Sequence, residues 1–378
     1  GQLAAALLAI RTGDAAGAQA ALERALRLDP GNHQALAYQS GLALAAGDAP
    51  QARAAAEQAV AADPASALAQ QSLAAVLFYA GDIEGAAGAV EMALTCNPMS
   101  AMAHLLAADV ALAHGDLERG AAEAEMSVAL DPTFGLALST LGMARLTRNE
   151  LPAAERAFTR ALQASPQMVA AQSGLGTAYL RQGRLDAALR AQTAALALDR
   201  DAVSTHNNLG AAYLAAGRLE DAHAEFREAI RLQPDSAIAH ANLALAALER
   251  NRFAEAVAEG EKAVRLGDRS ARLRTTLGRV YLKQNRVLQA WAVLRQAREL
   301  DPECALTNLY LAEVNSRLGR PRDAVRETLT GVSMQPSAAL DDREYARTVV
   351  TAAAGDDTLL RARTDGRGDR GQNSYYLA

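Results

Sequence analysis

Aromatic residues and long apolar runs are scarce in this chain, and both shortages limit the possible folds. Phe, Trp and Tyr account for 4% of the 378 residues. No apolar stretch reaches the ~18–20 residues that a membrane span needs. No segment is rich in the β-branched and aromatic residues that favour strands, whereas alanine, the strongest helix former, makes up about a quarter of the chain. The composition predicts an all-helical protein without a membrane-spanning helix.

Basic charge, cysteine and catalytic motifs are also scarce. The formal net charge of −5 argues against a general nucleic-acid binder, which presents a basic surface, and against binding to a membrane surface. No H-E-x-x-H, G-x-S-x-G, G-x-x-x-x-G-K or C-x-x-C motif occurs, so we expect no enzyme, no metal site and no cofactor. Arginine outnumbers lysine 36 to 2, which with the many alanines indicates a GC-rich, bacterial genome.

The chain does contain a period of 34 residues. Eight of its 11 prolines share one register: Pro30, Pro64, Pro98, Pro132, Pro166, Pro234, Pro302 and Pro336. We number each repeat so that this proline is place 32. After a clipped first repeat, repeats two to ten then begin at His33, Ala67, Ala101, Gly135, Val169, Val203, Ala237, Ala271 and Ala305. A fixed period of this length predicts one supersecondary unit that stacks on its neighbours.

Three further columns share the register. Place 20 is always Ala or Gly, and places 8 and 27 hold only Ala, Ser or Gly. Two helices that cross at about 8–10 Å leave room only for short side chains at their contact. The columns therefore predict a hairpin of two helices, A and B, in each repeat.

The corner between helices A and B is marked at place 15. Every repeat carries a glycine or an asparagine there: Gly13, Gly47, Gly81, Gly115, Asn149, Gly183, Gly217, Asn251, Asn285 and Gly319. Both residues tolerate the left-handed conformation that ends a helix. The prolines outside the register, Pro50, Pro152 and Pro321, fall where helix B starts and where a missing N–H costs little.

Together these residues closely resemble the tetratricopeptide repeat family over residues 1 to about 338. The sharpest copy carries Leu209, Gly210, Tyr213, Ala222, Phe226, Ala229 and Pro234. The resemblance implies an all-α fold, an α-solenoid of about ten tandem helical hairpins that forms a right-handed superhelix. The chain departs from the family at place 4. This place is often tryptophan in the family, but here it includes His104, His206 and His240.

The register fails after Pro336, which divides the chain. We predict a repeat array over residues 1–338, a capping helix over 339–355, and a flexible or docked tail over 356–378 that ends on Tyr375, Tyr376 and Leu377. Cys96 and Cys304 lie six repeats apart, too far for a disulfide in a rigid solenoid. They therefore do not indicate whether the protein is cytoplasmic or periplasmic. Since residue 1 is Gly at place 3 of a repeat, we expect a trimmed or processed product, and whether the chain is a fragment of a longer protein stays open.

The family's A helices line a concave groove through places 2, 5, 6, 9, 12 and 13. In repeats three to five these places form an apolar strip: Leu68, Phe78, Met102, Leu105, Leu106, Leu112, Leu136, Met143 and Leu146. From repeat six onward they form a basic face: Arg181, Asn207, Asn208, Asn242, Arg272, Arg279, Lys283 and Arg317. The strip indicates a docking site for an amphipathic helix or extended peptide, or else tighter packing between helices. Asn208 and Asn242 share place 6 and can either bind a peptide backbone or remain solvated.

Two groups of titratable residues have competing interpretations. His206 and His240 share place 4 on adjacent A helices, which makes a metal site conceivable, but place 4 normally packs between helices A and B, and packing is the expectation. Asp109 and Glu313 share groove place 9, where carboxylates more often form surface ion pairs than acid–base pairs.

The sequence thus predicts a non-catalytic scaffold that binds a peptide or partner protein in its concave groove. The resemblance also allows another class, the repeat region of a larger bacterial envelope export protein or of a glycosyltransferase. The partner's identity and the oligomeric state stay open, as does the question of whether the tail fills the groove.

Overall fold

A computed structural model describes residues 1–334, and all regular structure in that range is α-helical. The A helices are α1 (Gln2–Arg11), α3 (His33–Ala45), α5 (Ala67–Tyr79), α7 (Ala101–Ala113), α9 (Gly135–Thr147), α11 (Val169–Arg181), α13 (Val203–Ala215), α15 (Ala237–Glu249), α17 (Ala271–Lys283) and α19 (Ala305–Arg317). The B helices are α2 (Ala15–Leu28), α4 (Ala49–Ala62), α6 (Ile83–Cys96), α8 (Leu117–Leu130), α10 (Leu151–Ala164), α12 (Leu185–Leu198), α14 (Leu219–Leu232), α16 (Phe253–Leu266), α18 (Val287–Leu300) and α20 (Pro321–Met334). The expected capping helix and tail lie outside the described residues.

The helices form ten hairpins, and the hairpins are the repeats predicted from the proline register. The chain divides into two compact units, an N-terminal unit (Gly1–Gly174) and a C-terminal unit (Leu175–Ala378). Within each unit successive A helices lie in contact, α3 to α9 in the first and α13 to α19 in the second. The prediction of an all-α repeat solenoid is confirmed, while the hand of the superhelix stays a prediction.

The ten corners adopt the left-handed conformation that their residues predict. The seven glycines at place 15 have φ between 69° and 82°. Asn149, Asn251 and Asn285 take the same role with φ of 61°, 57° and 57°. Other side chains rarely adopt this conformation, so the glycine and asparagine column fixes where each helix A ends.

Helix B begins differently in the two units. In repeats one to four an aspartate at place 16 accepts a hydrogen bond of 2.8–3.0 Å from the backbone N–H three residues on: Asp14, Asp48, Asp82 and Asp116. This is a regular N-cap. In repeats six, seven and nine an arginine at place 16 instead lies 4.3–4.6 Å over a tyrosine ring of helix A, in the pairs Arg184–Tyr179, Arg218–Tyr213 and Arg286–Tyr281. In these three repeats a cation–π contact therefore joins the two helices in place of the aspartate cap.

Helices A and B touch most closely between place 8 on A and place 24 on B. A Cβ atom added to Gly210 would lie 2.6 Å from the fully buried ring of Phe226, and one added to Gly278 would lie 2.5 Å from Leu294. Ala244, the place-8 alanine of repeat eight, lies against Gly260. Place 8 therefore packs directly on place 24, which is the role predicted for this column of small residues.

We expect Gly210→Ala to destabilise the C-terminal unit by about 1–3 kcal/mol, because the new methyl group overlaps Phe226. Gly88→Ala is the matched control, since a Cβ at this α6 position meets nothing within 4 Å, and it should stabilise the helix by roughly 0.5–1 kcal/mol. Urea-denaturation midpoints followed by circular dichroism test both. Equal midpoints for the two variants would contradict the proposed packing.

Candidate partner-binding surface

In the N-terminal unit, part of the apolar strip is open to solvent. Met102, Leu136 and Met143 expose 41%, 53% and 45% of their surface. They lie on α7 and α9, two A helices that contact each other. We call these three residues the methionine patch. Leu68 and Phe78, on the preceding A helix, are half-buried.

Other members of the apolar strip belong to the packing between helices. Leu105 and Leu106 are only 4% and 7% exposed, and Leu146 is 5% exposed. Leu106 joins a core cluster with Val90 and Val110. The packing interpretation therefore describes these leucines, and the exposed part of the apolar strip is narrower than the sequence pattern predicts.

Asp109 stands on the same helix as Met102, and its environment differs from the expected surface ion pair. It is half-buried, and its Oδ1 accepts a hydrogen bond of 3.1 Å from the Thr140 hydroxyl. Burial raises the pKa of Asp109 to about 6, although the hydrogen bond from Thr140 opposes the shift. At neutral pH this surface therefore holds a carboxylate that is poorly solvated. Glu313, the other carboxylate at place 9, does pair with an arginine, Arg317.

In the C-terminal unit, the A helices present asparagines. Asn207 and Asn242 are 5% and 7% exposed, and Asn208 is half-buried. The Oδ1 atom of Asn207 is buried and accepts no hydrogen bond from any residue in the described range. Buried amide oxygens normally have a donor, so the Oδ1 of Asn207 is an unsatisfied acceptor in the interior of the unit.

The cations of the basic face differ in their pairing. Arg279 binds Glu249 at 2.9 Å, and Arg317 pairs with Glu313 and donates to the Leu282 carbonyl. The side chain of Arg272 forms neither a hydrogen bond nor an ion pair within residues 1–334. Although part of Arg272 remains open to solvent, desolvation lowers its pKa, and the charge of Arg181 lowers it further while Cys304 opposes the shift.

The histidines at place 4 pair with glutamates of their own repeats. The Nδ1 atoms of His104, His206 and His240 lie 2.7, 2.7 and 2.5 Å from a glutamate at place 23 of helix B. Their Nε2 atoms lie 2.9–3.1 Å from the backbone carbonyl six residues earlier. A carbonyl only accepts, so Nε2 carries a hydrogen. We call each arrangement a His–Glu clasp.

In each His–Glu clasp both ring nitrogens of the histidine contact atoms of the same repeat. This agrees with the expectation that place 4 packs between helices A and B. The glutamates are Glu123, Glu225 and Glu259, and repeats without a histidine at place 4 mostly carry Ala or Val at place 23. This pairing was not predicted from the sequence, although the two columns change together. Within residues 1–334 no three His, Cys, Asp or Glu side chains gather closely enough to hold a metal ion.

None of the helices in the described range combines the length and the apolar character that crossing a membrane requires.

The tetratricopeptide repeat family matches the chain over residues 3–67, 72–133, 139–203, 207–271 and 275–339. These segments make up most of the sequence, so the chain belongs to that family. No curated protein matches the chain.

Solved structures with the same fold share little sequence with the chain. The human IFIT1 dimer with m7Gppp-AAAA is 16% identical with a TM-score of 0.58, over 87% of this chain and 88% of that one. A tetratricopeptide repeat protein from Parabacteroides merdae is 14% identical with a TM-score of 0.53, over 67% and 98%. Yeast Tom70 is 13% identical with a TM-score of 0.50, over 96% of both chains. At these identities the likeness shows the fold alone.

Removing the carboxylate of one His–Glu clasp tests its role. Glu259→Ala should cost about 1–3 kcal/mol, because the His240 side chain is 2% exposed and loses the partner of a buried nitrogen. The double variant His240→Leu, Glu259→Ala recreates the pair Leu138 and Ala157 of repeat five. It should regain most of the lost free energy of unfolding, as measured by urea denaturation. A double variant no more stable than Glu259→Ala would show that the pairing is dispensable.

The raised pKa of Asp109 predicts that the stability of the protein depends on pH. Its folded-state pKa is raised, so the folded protein holds this proton more tightly than the unfolded chain, and stability falls as pH rises from about 4 to 6. The free energy of unfolding of Asp109→Asn should exceed that of wild type by about 2–3 kcal/mol at pH 8 and should match it below pH 4. Thermal melts across this range measure the difference. The exposed Asp201→Asn is the charge control, and an identical profile for both variants would contradict the assignment.

Proposed function

We propose that this protein is a non-catalytic scaffold that binds a peptide or partner protein along the face formed by its A helices. Repeats of this family generally mediate protein–protein interaction, which fits the chain's membership. The observation that carries the proposal is the methionine patch, three large apolar side chains each more than 40% exposed on two contacting helices. Exposed apolar patches mark interaction sites, and methionine adapts its shape to varied partners.

The chemistry around the patch favours a particular kind of segment. A partner helix with an apolar stripe would cover Met102, Leu136 and Met143, because an amphipathic helix binds through side chains spaced three or four residues apart. A lysine or arginine beside that stripe would meet Asp109, whose carboxylate lacks a cation. Residues 1–174 carry 9 arginines against 17 Asp and Glu, a net charge of −8, which attracts a basic segment and repels nucleic acid.

The remaining titratable residues support a role without chemistry. The histidines of the His–Glu clasps are saturated by partners inside their own repeats, and Glu313 is paired with Arg317. A general base needs a free lone pair within reach of its substrate, and both ring nitrogens of these histidines are already engaged.

A displayed library of random twelve-residue peptides, selected on the whole chain, tests the proposal. Peptides enriched on wild type should bind the Met102→Glu, Met143→Glu variant at least about 10-fold more weakly, since two charges replace apolar contacts. The control is Met92→Glu, Met126→Glu. It makes the same change at two B-helix methionines, each 47% exposed, and should bind within about twofold of wild type.

Fluorescence anisotropy on labelled peptides gives the affinities, and circular dichroism confirms that all variants fold. Equal losses in the two double variants, or no enrichment on wild type, would overturn the methionine patch as the working surface. Buried Leu105 and Leu106 are unsuited to this test, because a charge there would disturb the fold.

A further inference from the structure

We propose that the N-terminal unit binds a small organic acid, a carboxylate on a compact apolar body, in a cavity between helices α8, α9 and α10. The cavity has a volume of about 260 Å³. Its lining is Glu125, Leu141, Arg145, Ala153, Arg156, Ala157 and Arg160. No residue of the methionine patch is among them, so the inference goes beyond the proposed scaffold function.

The cavity exists because repeat five combines short and long side chains on one face of α10. Ala153 and Ala157 stand at places 19 and 23, one helical turn apart, and their small side chains leave space beside Leu141 of α9. Arg156 and Arg160, at places 22 and 26, border that space. No other repeat combines arginine at places 11, 22 and 26, so this lining is peculiar to repeat five.

The charged part of the lining is positive. It holds three arginines against one glutamate, although residues 1–174 together carry a net charge of −8. Arg145 forms ion pairs with Glu125 and Glu150, and this pairing reduces the repulsion that Glu125 would exert on an anion. The cavity is therefore a local positive site in an acidic unit, and it favours an anion over a cation.

The other two arginines keep hydrogen-bond donors for a ligand. The side chain of Arg156 forms neither a hydrogen bond nor an ion pair within residues 1–334. Arg160 donates one N–H to the Pro132 carbonyl, at 3.3 Å. A guanidinium carries five N–H donors in a planar fork, so both side chains have donors left. Such a fork binds a carboxylate through charge-assisted hydrogen bonds.

The floor and the volume of the cavity define the rest of the ligand. Leu141, Ala153 and Ala157 present only carbon atoms from their side chains, which suits an apolar body. The volume equals that of roughly nine liquid water molecules at ~30 Å³ each, so the ligand has about ten non-hydrogen atoms. A carboxylate uses three of these and leaves room for a ring, whereas a phosphate ester uses five on its head group.

Titration of the whole chain with phenylacetate tests the proposal, and phenylacetamide is its uncharged match. Methyl NMR signals of Leu141, Ala153 and Ala157 report on the cavity itself. Phenylacetate should shift them with a dissociation constant of about 0.1–5 mM, as expected for so few atoms. Phenylacetamide lacks the charge and acetate lacks the ring, so each should bind at least about 10-fold more weakly.

Two variants separate the charge from the space. Arg156→Gln should weaken phenylacetate binding by about 5- to 10-fold, because it removes one guanidinium. Its matched control is Arg27→Gln on α2, another exposed arginine without a partner in residues 1–334, which should bind within about twofold of wild type. Ala153→Leu keeps every charge but fills the cavity, and it should abolish binding. Circular dichroism confirms that all three variants fold.

Several outcomes would overturn the proposal. These are equal affinity for phenylacetate and either match, undiminished binding by Arg156→Gln or Ala153→Leu, and phenylacetate binding that leaves the three methyl signals unmoved. The absence of any phenylacetate binding would overturn it too. Met102→Glu, Met143→Glu should bind phenylacetate as wild type does, so failure of this site is distinguishable from failure of the scaffold proposal.

Discussion

The structure depends on one steric constraint, the close approach of helices A and B inside each hairpin. Place 8 lies directly against place 24, so Gly210 and Gly278 leave room for Phe226 and Leu294, and Ala244 meets Gly260. Because each hairpin has nearly the same geometry, successive A helices come to lie side by side within each unit. The surfaces we assign to binding exist because that packing repeats without interruption.

The local features of the fold were predictable because they are encoded at single positions. A glycine or asparagine corner and a proline turn each limit the backbone in their own sequence neighbourhood, and a 34-residue register makes them visible. Exposure along the A helices was not predictable in the same way. Leu105 and Met102 are both large apolar residues at groove places of α7, yet one is 4% and the other 41% exposed, because burial depends on side chains from neighbouring helices.

The missed features all depend on pairs of positions. A histidine at place 4 is informative only beside the glutamate at place 23, and an arginine at place 16 only beside the tyrosine at place 11. The raised pKa of Asp109 comes from desolvation by burial, which a column of single letters does not record. Reading the repeats against each other, two columns at a time, would have found the clasps and the stacked arginines.

The clasps also bear on how such an array can grow. Each joins helix A to helix B of the same hairpin, as does the contact between places 8 and 24. A duplication with its breakpoint at the proline turn copies both halves of every pairing, whereas one with its breakpoint at the glycine corner separates them. A hybrid joining α15 to α10 would set His240 against Ala157 and Ala244 against Phe158. The heritable module is therefore the intact hairpin, and recombination in the coding sequence is tolerated at one of the two turns but not at the other.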